Sequence, residues 1–378
     1  MKLSSRLSLA LIAATLAMHA TSSSAQTQTG PPPIRVAIVG LVHGHAQGLL
    51  GALPHNPNVT LVGIAEPQTA LAASYEKKFH LDHALFYTDT ETMLNAVHPQ
   101  AVLVYTNILD HRKVIELAAR HGISSMVEKP LATTLADALA IRNTAAEHHV
   151  QVLVNYETTW YASNNEAIHE AAGGKLGDLR KAVIHDGHNG PQEIGVGPEF
   201  LTWLTDPALN GAGALFDFGC YGADLMTVLM HGQPPLSVTA VAQTDKPALY
   251  PHVDDDATII LRYPSAQAVL MPSWDWPFGR KDMELYGATG YAITVAENNL
   301  RVRYAAQPQE STITAPPLPP ERSNSLDYLA AVLRGNIQPG NDLSSLDTNL
   351  VVMQILDAAR TSAKTGRTVE LQPLKSPQ

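Results

Sequence analysis

The chain has 378 residues, 45% of them hydrophobic, and 25 Lys plus Arg against 35 Asp plus Glu give it a formal charge of −10. That much apolar material excludes a disordered or fibrous chain and suffices for one large or two ordinary domains. An acidic balance with no basic run speaks against nucleic acid or an anionic membrane as partner, and a single cysteine, Cys220, excludes an intrachain disulfide.

Lys2 and Arg6 precede an apolar stretch at 7–18 and a small-residue end, Ser23-Ser24-Ala25. This is the layout of a secretory signal peptide over 1–25, cut after Ala25, and its apolar stretch is too short to span a bilayer. The expected location is periplasmic or secreted. No cysteine near the cut could carry a lipid anchor, and no Arg-Arg pair marks twin-arginine export. Losing Lys2 and Arg6 and no acidic residue takes the charge to −12. Residues 26–33, with three consecutive prolines, read as a linker.

From 34 to 156 strand-length apolar runs at 34–39, 59–65, 101–105, 125–127 and 151–154 alternate with helical patterns at 110–121 and 135–148. Uniformly apolar strands are covered on both faces, which predicts a parallel sheet flanked by helices, a Rossmann-like domain in an α/β protein. Beyond 156, helices are expected at 198–204 and 215–230, followed by closely spaced strands at 238–243, 257–263, 266–273, 283–286 and 292–295, and by helices at 326–333 and 348–363. Such spacing predicts an α+β domain over 157–378 with a large, mostly antiparallel open sheet.

The first strand runs into Gly40, the place where a dinucleotide-binding domain puts its phosphate turn. The remainder of the G-x-G-x-x-G pattern is altered: Val42 and His45 stand at the second and third glycine positions, with His43 and Gly44 between. Glu66, after the second strand, suits the ribose hydroxyls of NAD, and its charge would repel the 2′-phosphate of NADP. Glu128-Lys129-Pro130 follows a buried strand and precedes a helix, which puts Lys129 at the carboxyl edge where open α/β sheets bind ligands.

The Glu128-Lys129-Pro130 turn, Tyr105-Thr106-Asn107 with His111 shortly after, and the segment Asp217-Phe218-Gly219-Cys220-Tyr221-Gly222-Ala223-Asp224 together resemble the Gfo/Idh/MocA oxidoreductase family over about 34–370. The resemblance implies hydride transfer between a bound nicotinamide and a sugar, cyclitol or related polyol, and a homodimer or homotetramer built on the open sheet. It implies cofactor contacts from Gly40, Val42, His43, His45, Glu66, Thr106, Asn107, His111, Glu128 and Lys129. It implies catalysis by Lys129, Asp217 and Tyr221. Tyr221 stands where inositol-dehydrogenase-like members carry histidine, as in the glucose–fructose and dihydrodiol oxidoreductase branch. Nearby Lys129 is expected to lower the tyrosine's pKa from about 10 toward the working pH. Asp217 and Tyr221 share a face if 215–230 is one helix.

Tyr156, Trp160, His185, His188, Trp274 and Arg280 are the candidate sugar contacts, since aromatic faces beside polar groups suit carbohydrate. Asp254-Asp255-Asp256 reads as a solvated strand entry and Cys220 as a buried small residue. The pairs His43 with His45 and His185 with His188 show neither convergence nor a supporting shell in the sequence, and no metal is expected. An exported dehydrogenase meets little free NAD, which favours a nicotinamide that stays bound. Two other functions fit the same pattern: glycoside cleavage by oxidation, elimination and reduction, and a non-catalytic carbohydrate-binding protein on the same fold.

Overall fold

The computed structural model describes residues 30–307 and 309–374. The expected signal peptide and residues 26–29 lie outside the described residues.

Six parallel strands, β1 (Ile34–Val39), β2 (Val59–Ala65), β3 (Phe86–Tyr87), β4 (Ala101–Val104), β5 (Ser124–Glu128) and β6 (Val152–Asn155), form the first sheet in the order β3-β2-β1-β4-β5-β6. Strands β4 and β5 are buried along their whole length, as a sheet covered on both faces requires. Its helices are α1 (Ala46–Ala52), α2 (Thr69–Phe79), α3 (Thr90–Val97), α4 (His111–Arg120) and α5 (Leu135–His148). The strand order reverses between β1 and β4, so a crevice opens at their carboxyl ends. The turns after β1, β4, β5 and β6 all reach that edge.

After α6 (Ala162–Ala172) comes β7 (Leu179–Gly187), then four helices: α7 (Pro198–Leu204), α8 (Pro207–Asn210), α9 (Ala214–Asp217) and α10 (Gly219–Leu229). Seven strands follow: β8 (Ser237–Gln243), β9 (Asp256–Arg262), β10 (Gln267–Ser273), β11 (Arg280–Gly287), β12 (Gly290–Ala296), β13 (Asn299–Tyr304) and β14 (Ser311–Thr314). Helices α11 (Ser325–Leu333) and α12 (Leu346–Thr365) and the short β15 (Val369–Glu370) complete the fold. The second sheet has the order β14-β13-β12-β11-β7-β10-β9-β8-β15 and is antiparallel except where β7 pairs with β10. Helices α6, α10 and α12 cover one face, while Val241, Ile260 and Val295 stand exposed on the other.

Three features depart from the sequence expectation. The helix expected over 215–230 is two helices, α9 ending at Asp217 and α10 beginning at Gly219, with Phe218 (φ −109°, ψ −28°) linking them. Asp217 and Tyr221 therefore belong to different helices, yet both face the same cavity and the Lys129 ammonium. The expected division at 156 does not describe α11, whose Leu326, Leu329 and Ala330 pack into the core formed by β1, β2 and α1. The expected solvated Asp triplet is instead a pair of backbone clamps. Asp254 accepts from the N–H groups of Gly213 at 2.9 Å and Leu215 at 2.6 Å, and the fully buried Asp255 accepts from Asp245 and Lys246, both at 2.7 Å.

Asp254 thereby anchors the start of α9, three residues before Asp217. Replacing it, Asp254→Ala, leaves two backbone donors unpaired and should cost about 1–3 kcal/mol in a urea unfolding titration. A change within error would show that α9 is held by other contacts.

Candidate active site

Lys129 leaves the end of β5 and crosses to α9. Its Nζ donates to the backbone carbonyl of Asp217 at 2.9 Å and pairs with Oδ1 of the same residue. Lys129 is 4% and Asp217 6% exposed. The second carboxylate oxygen, Oδ2, accepts from Trp274 Nε1 at 2.9 Å. Burial alone would raise the carboxyl and lower the ammonium, but their mutual charge and hydrogen bond outweigh it. Asp217 accordingly titrates below, and Lys129 above, the ordinary range.

Tyr221, in the first turn of α10, lies with its ring 5.3 Å from Lys129 Nζ and 5.3 Å from Lys281 Nζ. Lys281, on β11, pairs with Glu157, which follows β6. Two ammonium groups thus flank one ring, each engaged by its own carboxylate. The expected lowering of the tyrosine's pKa does not occur: burial first, then the charges of Glu157, Cys220, Asp217 and Glu128, push the phenol well above its usual value. Tyr221 is neutral at neutral pH. Tyr156 meets its ring edge-on at 5.4 Å and donates its hydroxyl to Asn349.

Lys129, Asp217, Phe218, Tyr221, His188 and Lys281 line a cavity of about 390 Å³ that is closed on one side by residues 194–197. His188 Nδ1 accepts from Gly190 N–H at 2.9 Å, which leaves the ring proton on Nε2 as a donor. Burial lowers the pKa of His188 and keeps it neutral, against the opposing pull of Asp217. A second cavity of about 670 Å³ shares Gly44 and His45 with the first and passes Tyr105, Glu128, Asn155 and Trp160 to the start of α11.

Around the turn after β1, Gly40 has φ +81°, and a Cβ there would lie 2.7 Å from Thr106 Cγ2. Thr106 and Asn107 form the facing turn: Thr106 Oγ1 donates to Asn107 O at 2.9 Å, and Asn107 Nδ2 to Asp110 Oδ2 at 2.8 Å. His111, fully buried, donates Nδ1–H to Leu131 O at 3.2 Å, and burial lowers its pKa to about 4. Helix α7 packs against the turn, with Phe200 and Trp203 on the His43 ring at 4.7 and 5.4 Å and Trp203 Nε1 donating to Val42 O at 3.2 Å. Glu66 is 1% exposed, and its two oxygens accept from the backbone N–H groups of Leu41 (2.7 Å) and Gln68 (2.8 Å). Glu128 accepts from Asn155 Nδ2 at 2.8 Å and contacts His45 Nδ1 at 2.9 Å. Burial raises its pKa, but His45, Asn155 and Lys129 together bring it below the ordinary carboxyl range.

Residues 34–156 match the profile described as "Oxidoreductase family, NAD-binding Rossmann fold", and residues 165–293 match the GFO/IDH/MocA C-terminal domain. The chain belongs to the Gfo/Idh/MocA family. D-apiose dehydrogenase of Paraburkholderia graminis is 26% identical over 309 residues, 77% of this chain and 78% of that enzyme. Trans-1,2-dihydrobenzene-1,2-diol dehydrogenase of Macaca fascicularis is 25% identical over 232 residues, 61% of this chain. The chain spans 64% of the length of that enzyme. Among solved structures, aldose-aldose oxidoreductase from Caulobacter crescentus has a TM-score of 0.76 at 23% identity, covering 90% of this chain and 100% of the other. An inositol dehydrogenase homolog from Azotobacter vinelandii, in complex with NAD+, has a TM-score of 0.76 at 20% identity over 90% of this chain and 98% of the other. These likenesses share the fold, a parallel Rossmann sheet joined to a mostly antiparallel one.

The residues of this family member fit the nicotinamide half of NAD. Gly40 supplies the tight first turn, and the two cavities meet at the carboxyl ends of β1, β4, β5 and β6, between Lys129 and Glu128. At the adenosine half the chain's own groups already use the contacts: Glu66 holds two backbone donors, and Phe200 lies where a Cβ on Gly44 would meet it at 2.9 Å.

Of the six expected sugar contacts, His188 lines the first cavity and Trp160 the second. Trp274 is fully buried and reaches the site only through Asp217. Tyr156 is likewise buried behind Tyr221. His185 and Arg280 point to the other face of the second sheet, where both contact Asp282, because alternate residues of a strand face opposite ways. Lys281, Phe218 and Glu157 were not anticipated. The register that pairs Lys281 with Asp186 on β7 puts residue 281, not 280, on the covered face.

The ion pair sets a pH window. The contribution of Asp217, whose pKa is depressed, is present above about pH 3.9 and is lost as pH falls through its folded value. That of Lys129, whose pKa is raised, is present below about pH 10.4 and is lost as pH rises through its folded value. Lys129→Met strips Asp217 of its ammonium partner and should cost about 3–5 kcal/mol. The carboxyl pKa then rises toward or above its unfolded value, so the stability that Asp217 loses as pH falls below about 3.9 shrinks or reverses, and the acid limb of a pH–urea stability profile becomes shallower. An unchanged acid limb would show that Trp274 alone holds the carboxylate.

Proposed function

We propose that the chain is an exported, NAD-dependent oxidoreductase acting on a CH–OH carbon of a sugar, cyclitol or related polyol, with a nicotinamide that stays bound between turnovers. The observation that carries this reading is the buried Lys129–Asp217 pair beneath Tyr221, facing a cavity at the carboxyl edge of an NAD-family Rossmann sheet. The sugar class is supported by the likeness to D-apiose dehydrogenase. NAD over NADP rests on the place of Glu66 after β2, where a carboxylate disfavours a 2′-phosphate even with its oxygens engaged by the Leu41 and Gln68 N–H groups. The exposed face of the second sheet suits a dimer or tetramer. The amino-terminal sequence supports a periplasmic or secreted location.

When bound, the nicotinamide supplies or accepts the hydride. The chain's own residues handle the proton and the oxygen. Tyr221, held neutral, donates its phenolic proton to a substrate carbonyl oxygen as negative charge develops there, and the Lys129 ammonium stabilises that charge. His188 offers Nε2–H to a neighbouring hydroxyl. Hydroxyl oxidation runs the proton the other way and needs the ionised phenol. Its rate should therefore climb with pH toward the raised pKa of Tyr221, while carbonyl reduction stays flat through neutrality.

Chromatography of the supernatant from denatured protein should show NAD(H), and adding the correct sugar to native protein should raise absorbance near about 340 nm. Tyr221→Phe should retain the nucleotide while turnover falls by roughly 10² or more. No nucleotide in the supernatant and none bound on titration would overturn the reading. Phenol release from aryl glycosides without net reduced nicotinamide would replace it with glycoside cleavage.

A further inference from the structure

His45, at the third glycine position, and His43, two residues before it, have no part in the proton chemistry above, and they converge. The rings of His43 and His45 lie 4.6 Å apart, and Glu128 approaches both from β5, with Oε2 2.9 Å from His45 Nδ1 and 3.9 Å from His43 Nε2. One ligand atom from each of the three falls within 4.8 Å of the other two. We propose that His43, His45 and Glu128 form a binding site for a divalent metal ion of the zinc class.

Two imidazoles and a carboxylate are a donor set for such an ion, with the fourth position left open. Bond lengths of about 2.0–2.2 Å set tetrahedral ligand atoms about 3.3 Å apart. The observed separations of 2.9 and 3.9 Å bracket that value. The ligands are held from behind, as working metal ligands are. Asn155 Nδ2 donates to the other oxygen of Glu128 at 2.8 Å, and Trp160 Nε1 in turn donates to Asn155 Oδ1 at 3.0 Å. The His43 ring packs against both Phe200 and Trp203, which also pack on each other.

His43 Nδ1 accepts only a long bond, 3.3 Å, from His45 N–H. Placing the ring proton on Nδ1 gives up that bond and frees Nε2, the atom nearer Glu128, for the metal. Lys129 opposes positive charge at His43, and its pairing with Asp217 reduces that opposition to a second cation. His43 and Glu128 are 1% and 2% exposed, whereas the His45 side chain is 45% exposed and borders both cavities. The open coordination position therefore faces space that water or a substrate oxygen can enter.

The test uses the full chain, purified without a histidine tag, stripped with a chelator and titrated with Co²⁺ in the absence of nucleotide and sugar, so that it stands apart from the redox reading. One Co²⁺ per chain is expected, with the visible absorption of a four- or five-coordinate ion, displaced by Zn²⁺. His45→Ala, at an exposed ring, and Glu128→Gln should each weaken binding by about tenfold or more. Circular dichroism and thermal unfolding of His45→Ala check that the fold is kept. Lack of Co²⁺ and Zn²⁺ uptake by the wild-type chain would overturn the proposal. So would binding that is unchanged in both variants, because other histidines among the 16 would then be the ligands.

Discussion

Everything at the candidate site depends on a lysine and an aspartate that neutralise one another while almost wholly buried in the wall of the cavity. Lys129 comes from the first sheet and Asp217 from the segment that packs on the second, and the pair fixes both ends of the cavity at once. A buried ion pair adds little net stability over an apolar substitute, since desolvating both charges roughly cancels their attraction. What it supplies is placement. Removing either member leaves a charge without solvent, so the two sheets meet in one arrangement or not at all. Trp274 satisfies the remaining oxygen of Asp217, and Asp254 anchors the helix that presents it. The Lys281–Glu157 pair repeats the arrangement at the same distance from the Tyr221 ring, joining the segment after β6 to β11.

Burial sets the protonation of Tyr221, and that constraint reinforces it. A lone ammonium beside a phenol would draw it toward phenolate, but each ammonium here is already engaged by a carboxylate. Those carboxylates, together with burial, leave the phenol as a proton donor. The motif showed which residues meet. The charge balance that sets their chemistry came from Glu157 and Lys281, which lie 64 residues before and 60 residues after Tyr221 and belong to no local pattern.

The first sheet was legible because buried parallel strands are continuous apolar runs, and such runs survive in the sequence at 34–39, 59–65 and 101–104. Two-residue strands such as Phe86–Tyr87 and Val369–Glu370 carry no period and could not be read. The helix over 215–230 was legible as apolar content, but neither its division at Phe218 nor the clamp by which Asp254, more than thirty residues later, holds the N–H groups of Gly213 and Leu215 has a local signal. The Asp triplet looked like solvated charge for the same reason: its partners are backbone N–H groups brought in by the fold.

Arg280 and Lys281 show what decides such choices. Both are cations in one loop-to-strand segment, and composition cannot separate them. A strand turns successive side chains to opposite faces, so the phase of β11 against β7 sends one residue to the cavity and the other to the open face. That phase is visible in the sequence once β11 is read as half-buried. Met283 and Leu285 are its two buried residues, and Lys281 shares their parity. Counting back from the apolar positions therefore selects Lys281. The same parity links His185 to the open face through Ala182 and Ile184, its buried neighbours of opposite phase. In a strand that borders a site, the apolar residues carry the information about which polar residues reach it.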